Sequence, residues 1–244
     1  MKKILITGAS GGIGSAIARE LASADSSLFL QYYKNRSAAE ELALQCEEQG
    51  AHITLIQSDL SAGNGDEQLL EGIPDGLTFH TVVHNAGMGL FGLFTELSNS
   101  DLNRMMNVHL LNPMKITRAI LPQMIQNRQG KILVVSSIWG LTGASCEVVY
   151  SAAKGGLNSF VKALAKEVAP SNIQVNGVAP GAIQTDMLLN QGLAPADLQA
   201  LADEIPASAL GKPEDVANAV AFLNSEKANY INGQILSING AWYC

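Results

Sequence analysis

The chain has 244 residues, of which 47% are hydrophobic and 15% charged, and its net charge is −7. The hydrophobic share excludes a disordered chain, and the length fits one large α/β domain spanning 1–244 rather than two. The acidic balance excludes a basic nucleic-acid footprint and disfavours an anionic membrane surface, so neither nucleic acid nor membrane is an expected partner.

The charged share lies well below the typical value of about 25%. An extensive core and a surface partly buried in an oligomer both follow from that. Three widely spaced cysteines, Cys46, Cys146 and Cys244, predict reduced thiols and no metal site. The apolar run Ile4-Leu5-Ile6 after Lys2 and Lys3 is too short for a signal peptide, and no run reaches membrane-spanning length. These features predict a cytoplasmic protein.

Short β-branched or apolar runs alternate with longer helical patterns along the chain. Strands are predicted at 3–7, 27–33, 52–57, 81–84, 131–136, 174–178 and 234–237, and helices at 12–24, 37–50, 101–128, 149–169 and 214–223. Such alternation reads as right-handed βαβ units. It predicts an α/β, doubly wound domain: a seven-stranded parallel sheet with helices on both faces. The segment at about 186–212, with Gly192, Pro195, Pro206 and Gly211, has few strand signals and reads as a cover over the carboxyl edge of the sheet.

The first strand runs into Thr7-Gly8-Ala9-Ser10-Gly11-Gly12-Ile13-Gly14, which opens a helix. Glycines permit the tight turn and a close backbone approach, and the helix start offers free N–H groups to a phosphate. Gly8, Ser10, Gly12, Ile13 and Gly14 are therefore candidate cofactor-binding residues. An acidic residue that would bind ribose hydroxyls is missing after the second strand, where Lys34, Asn35 and Arg36 stand instead. Lys34 and Arg36 suit a 2′-phosphate, which selects NADP(H) over NAD(H).

Tyr150-Ser151-Ala152-Ala153-Lys154 puts a tyrosine and a lysine four residues apart on one helix face. Ser137 ends the strand leading to that helix. A lysine ammonium near the phenol is expected to lower the tyrosine pKa, and a serine hydroxyl holds a developing oxyanion. These three supply an acid for a carbonyl oxygen.

The glycine spacing, with three residues between Gly8 and Gly12, resembles the short-chain dehydrogenase/reductase family. Asp59-Leu60, Asn85-Ala86-Gly87 and Pro180-Gly181, with Ile183 and Thr185 beyond, follow in that family's order over essentially the whole chain. The resemblance implies a Rossmann-type fold. It also implies that Asp59 and Leu60 line the adenine, that Asn85, Ala86 and Gly87 form the turn after the fourth strand, and that Pro180, Gly181, Ile183 and Thr185 contact the nicotinamide. Tyr150 and Lys154 would touch the cofactor as well as the substrate. The family usually carries an asparagine where this chain has His109; either its backbone carbonyl holds a water in line with Lys154, or the imidazole joins the relay with an ionisation near pH 6 to 7.

The length and layout resemble 3-oxoacyl-[acyl-carrier-protein] reductases. Three segments are more similar to the elongation factor P 5-aminopentanone reductase group: the stretch around His109 to Pro113, the run from Ser136 to Glu147 and the tail from Ile235 to Cys244. The resemblance implies a ketone substrate carried on a protein, either modified elongation factor P or acyl carrier protein, and a homotetramer or homodimer. Glu147 is a candidate ligand for a substrate amine and Trp139 a candidate pocket wall. A fold retained as a non-catalytic dinucleotide sensor is the alternative of another class, and the intact Ser137, Tyr150 and Lys154 argue against it.

Overall fold

Successive strand residues bury opposite sides of one sheet. Ile4 and Ile6 pack with Leu28, Leu30, Leu133 and Val135, while Leu5, Phe29, Ile132 and Val134 belong to a second apolar cluster. Period-two alternation separates the clusters, and covering both explains why the strands read as continuous apolar runs.

The computed structural model describes residues 1–189 and 194–243. Its strands are β1 (Lys2–Ile6), β2 (Ser26–Tyr32), β3 (His52–Gln57), β4 (Thr81–His84), β5 (Gly130–Val135), β6 (Ile173–Pro180) and β7 (Ile235–Ile238). All pair in parallel, in the order β3-β2-β1-β4-β5-β6-β7. The helices are α1 (Gly12–Leu21), α2 (Arg36–Glu48), α3 (Gly65–Glu71), α4 (Asn99–Met106), α5 (Asn112–Asn127), α6 (Trp139–Thr142), α7 (Val148–Val168), α8 (Asp186–Leu189), α9 (Pro195–Glu204) and α10 (Pro213–Asn224). Helices α1, α2 and α10 cover one face through Ile17, Leu42 and Val216; α3, α5 and α7 cover the other through Leu69, Ile116 and Leu157.

The winding order reverses between β1 and β4, which pair through Ile4↔Thr81 and Ile6↔Val83. Loops leaving these two strands diverge, and the crevice between them is where a doubly wound sheet binds ligands. One hydroxyl ties its two sides together: Thr7 Oγ1 accepts the backbone N–H groups of Asn85 and Ala86, both at 3.0 Å.

Three departures from the sequence expectations have identifiable causes. The helix expected at 101–128 is broken by a π-helical turn, Asn107–Leu111, between α4 and α5. There the Asn112 amide donates to Leu60 O and Ala62 O, and the His109 ring turns inward. The short helix α3 has no apolar period long enough to read. The segment expected to be irregular at 186–212 contains α8 and α9, the latter started by Pro195 with Asp197 accepting the Ala194 N–H. Residues 190–193 of it, with Gly192, and also Cys244 lie outside the described residues.

Candidate active site

The cleft at the switch point has a volume of about 920 Å³. Its floor begins at the glycine turn. Gly8 has φ +66°, and a Cβ there would lie 2.7 Å from Ala86 Cα. A Cβ on Gly14 would fall on the Gly8 carbonyl, and one on Gly12 would meet Thr185 Cγ2 at 2.9 Å. No side chain caps α1, so its first N–H groups, at the Gly12 and Ile13 end, remain for a ligand. Gln31 holds the turn from below: its Oε1 accepts the Gly8 N–H at 2.8 Å and its Nε2 donates to Ser58 O at 2.9 Å.

At one end the cleft is lined by Tyr33, Lys34, Asn35, Asp59, Leu60 and Arg104. Burial works against the Asp59 charge. The Ser61 hydroxyl and amide, the Tyr33 hydroxyl and Arg104 outweigh it and hold this carboxyl below its usual range. Asn35 caps α2 by accepting the Ala38 N–H. Lys34 stands over the Tyr33 ring. Arg36 does not line the cleft. It lies in the first turn of α2 and its Nε donates to Glu40 at 2.8 Å, so of the two expected cations it is Lys34 that borders the cleft. An exposed arginine finds an i,i+4 partner when the helix supplies one.

Ser137, Tyr150 and Lys154 meet in the middle of the cleft. Ser137 Oγ accepts the Trp139 N–H at 3.1 Å, so its own hydrogen is free to point elsewhere. Lys154 is buried and donates to Val135 O at 2.7 Å, with Nζ 5.6 Å from the centre of the Tyr150 ring. Burial brings the lysine down to about 7. Tyr150 is half-buried as a residue, yet the atoms crowding its hydroxyl push the phenol up to about 12; the facing Ser137 hydroxyl pulls the other way and Glu147 adds to the rise. The expected lowering of Tyr150 by Lys154 is therefore reversed. Burial penalises the charged form of both groups, which favours the protonated phenol.

His109 also reaches this centre. Its ring is 1% exposed and stands edge-on to Tyr150, centroids 4.9 Å apart at 84°. Nε2 lies 2.8 Å from Met88 O. Burial, with Lys154 adding to it, holds the imidazole well below its usual value. Both effects work against the expected ionisation near pH 6 to 7, because protonation would place a second positive charge beside Lys154.

Asn85, Ala86 and Gly87 form one wall, and Pro180, Gly181, Ile183 and Thr185 the wall opposite. Asn85 Nδ2 donates to Thr7 O and Gly8 O, fixing the turn after β4 to the turn after β1. Trp139 and Glu147 line the far end with Trp242. Trp139 packs against Trp242 and Tyr243, both with centroids 5.5 Å away. Burial pushes the Glu147 carboxyl up. Helices α8 and α9 border this end through Met187, Leu188 and Leu201.

Sequence reasoning missed Gln31, Tyr33, Arg104, Met88 and Trp242. None belongs to a motif; each enters through a contact between segments remote in the chain. Among the described residues no group of three metal-ligating side chains forms, and no helix is long and apolar enough to cross a membrane.

A short chain dehydrogenase family model matches residues 2–194. An uncharacterized oxidoreductase of Bacillus subtilis (strain 168), YmfI, is 50% identical over 100% of this chain and 99% of its own length. The 3-oxoacyl-[acyl-carrier-protein] reductase FabG of Aquifex aeolicus (strain VF5) is 38% identical over 99% and 97%. Among solved structures, that of the angucycline C-6 ketoreductase LanV with bound NADP superposes with a TM-score of 0.89 at 29% identity, covering 98% of this chain and 94% of that one.

Proposed function

This chain belongs to the short-chain dehydrogenase family, and from that premise we propose that it is an NADPH-dependent ketoreductase that turns a ketone into a secondary alcohol. The observation carrying this reading is the convergence of Ser137, Tyr150 and Lys154 in one cleft with the glycine turn. The close approaches at Gly8, Gly12 and Gly14 and the uncapped start of α1 fit a pyrophosphate, and Lys34, at the end of the cleft where Arg104 stands beside Asp59, is the cation we assign to a 2′-phosphate. Asp59 and Leu60 would hold the adenine end, and Ile183 and Thr185 the nicotinamide end. The ketoreductase LanV, whose structure contains NADP, supports the cofactor assignment.

A nicotinamide held by Ile183 and Thr185 would supply hydride for the carbonyl carbon. The protein handles the oxygen. Ser137, already accepting from the Trp139 amide, directs its hydroxyl hydrogen to the carbonyl oxygen as charge builds there. Tyr150, a phenol that burial keeps protonated, gives its proton to that oxygen. Carbonyl, hydride and proton together make the alcohol. Lys154, fixed by Val135 O, stands beside the resulting phenolate and stabilises it until a proton is restored.

For the substrate, we read the ketone as the 5-aminopentanone group on a modified lysine of elongation factor P. Glu147 supports this by placing a carboxylate in the cleft beside Tyr150, where a substrate amine would be met. The basic residues near the ends of α5 and α7 support it too. Arg128 donates to Pro170 O at 2.9 Å, and Lys131 Nζ is engaged by Leu223 O, Ser225 O and Asn229. An acidic carrier protein docks on clustered cations, and just past these helix ends only Arg128 and, a little beyond, Lys131 are present. The second reading is a 3-oxoacyl-[acyl-carrier-protein] reductase, favoured by relatives of that name. We place the protein in the cytoplasm as one 244-residue domain and expect a homotetramer or homodimer, since Leu111, Met114 and Ile125 on and beside α5 and Leu236 on edge strand β7 are exposed.

Product analysis with NADPH decides between the two, with aminopentanone-modified elongation factor P and a 3-oxoacyl carrier side by side. Preferential reduction of the former supports the first reading. Preferential reduction of the latter replaces it with the second. NADPH binding without turnover on either, or on a generic ketone, would leave a dinucleotide sensor.

A further inference from the structure

Three neighbours meet around His109: the Gly87–Met88 turn after β4, the ring of Tyr150, and Lys154. The π-helical turn Asn107–Leu111 is what aims the imidazole at them. A one-residue widening of a helix re-aims the side chain it carries, and such turns cluster at functional sites.

The hydrogen bonding fixes the tautomer. Nε2 lies 2.8 Å from Met88 O and 3.3 Å from Met88 N. One ring nitrogen cannot donate to the oxygen and accept from the amide at once, and the shorter contact makes Nε2 the donor. Nδ1 is then a bare acceptor, and it is enclosed with no partner among the described residues. With Nε2–H held by Met88 O and Nδ1 enclosed, the ring has no hydrogen-bonded partner among the described residues through which a relay proton would pass.

The packing is size-matched on two sides. A Cβ at Gly87 would lie 2.8 Å from His109 Cε1 and 3.4 Å from its Nδ1, and the nearest atom outside this ring is Asn85 O at 3.8 Å. The missing side chain of Gly87 is the space the imidazole fills. On its other side the ring stands edge-on to Tyr150 at 4.9 Å. The polar and charged groups that bear on the Tyr150 phenol are Ser137 after β5, Glu147 just before α7, Lys154 on α7 and His109 on the π turn.

We propose that His109 is a positioning residue for proton transfer, which pins the Gly87–Met88 turn through Nε2–H and closes one side of the Tyr150 phenol to water with its ring. The inference rests on the reading of Tyr150 as the acid. It replaces a proton-carrying role for this histidine with a mechanical and dielectric one.

The two functions of the ring are separable by substitution. His109→Phe keeps the ring against Tyr150 and loses the Met88 anchor. His109→Asn loses the ring and opens the phenol to water. In the full-length chain, pH–rate profiles for ketone reduction with NADPH are compared for wild type and both variants. The expected result for His109→Asn is a fall of about tenfold in kcat with little change in KM, and an alkaline limb that starts about one pH unit lower because water relieves the burial of the phenol. His109→Phe keeps the wild-type limb and unfolds at a lower temperature. Gly87→Ala costs activity in wild type and costs much less in the His109→Asn background, since the clash is with the ring.

Nitrogen-15 spectra of the full-length protein give a readout independent of turnover: His109 should show a protonated Nε2 and no titration from pH 5 to 8. An unmoved alkaline limb and rate in His109→Asn, equal Gly87→Ala losses in both backgrounds, or a ring titrating near pH 6 to 7 would each overturn the inference. Wild-type chain that fails to reduce any ketone with NADPH would instead overturn the reading of Tyr150, while the spectra would still report on the ring.

Discussion

Gln31 carries Gly8. The amide of this one buried side chain, 2% exposed, accepts the Gly8 N–H and donates to Ser58 O, linking the phosphate-binding turn to the end of β3 across the sheet. Replacing it by an apolar isostere removes at once the partner of the half-buried Gly8 N–H and that of the buried Ser58 carbonyl. Gln31→Leu should destabilise the fold by about 2 to 6 kcal/mol, at about 1 to 3 for each of the two groups, and weaken NADPH binding more than it slows bound enzyme. Urea unfolding and fluorescence titration check this. Unchanged stability would show that the turn holds itself.

Cofactor choice should fall mainly on Lys34. Its ammonium lines the cleft, whereas Arg36 faces Glu40 on the helix surface. Lys34→Ala is expected to weaken NADPH binding roughly tenfold, the loss of one charge-assisted contact of about 1.5 kcal/mol, and to leave NADH almost unchanged. Arg36→Ala should do much less. Equal losses of both cofactors from Lys34→Ala would remove the 2′-phosphate assignment.

Tyr150→Phe should abolish ketone reduction and leave NADPH affinity nearly intact, because the phenol acts on the substrate oxygen. Lys154→Ala should damage both. Stopped-flow turnover beside an equilibrium binding titration separates the effects, and substantial turnover by the phenylalanine variant would refute the proton-donor role.

Lys154 also writes a pH signature into the ligand-free protein. Its folded pKa, about 7, lies below the ordinary 10.5. Below pH 7 the lysine is charged in both states and the folded state bears the cost of burying it. Between pH 7 and 10.5 the unfolded chain binds more protons, so stability contributed at this site rises with pH; above that window the cost is gone. Relative to Lys154→Met, wild type should therefore gain stability between pH 7 and 10, by at most about 1.4 kcal/mol per unit. Chemical unfolding at pH 6 and 9.5 measures it, and a constant difference between the two proteins would contradict it.

How much of this was legible beforehand follows from what kind of interaction each feature needs. All seven strands form within two residues of their expected bounds, because each is an apolar run bounded by polar or glycine residues. The glycine turn and the Tyr150–Lys154 pair are local, so spacing reveals them. The π turn was invisible, since residues 101–128 keep a helical apolar period straight through it; its cause is remote, in Leu60, Ala62 and Met88. Tyr33, Asp59 and Arg104 come together from three segments with no shared pattern. Arg36 differs for the opposite reason: it has a local partner, Glu40, one turn along its own helix. The direction of the Tyr150 shift depended on burial, which spacing does not encode.

The cleft borrows from many strand ends: Gly8 after β1, Tyr33 after β2, Asp59 after β3, Asn85 after β4, Ser137 after β5 and Gly181 after β6. No contiguous fragment contains even a rudimentary version of it. Catalysis is consequently an all-or-none reporter of the whole sheet. In a denaturant series the loss of turnover and the loss of far-ultraviolet ellipticity would trace a single curve, and a partly folded form released in the cell would carry no residual, unregulated reductase activity.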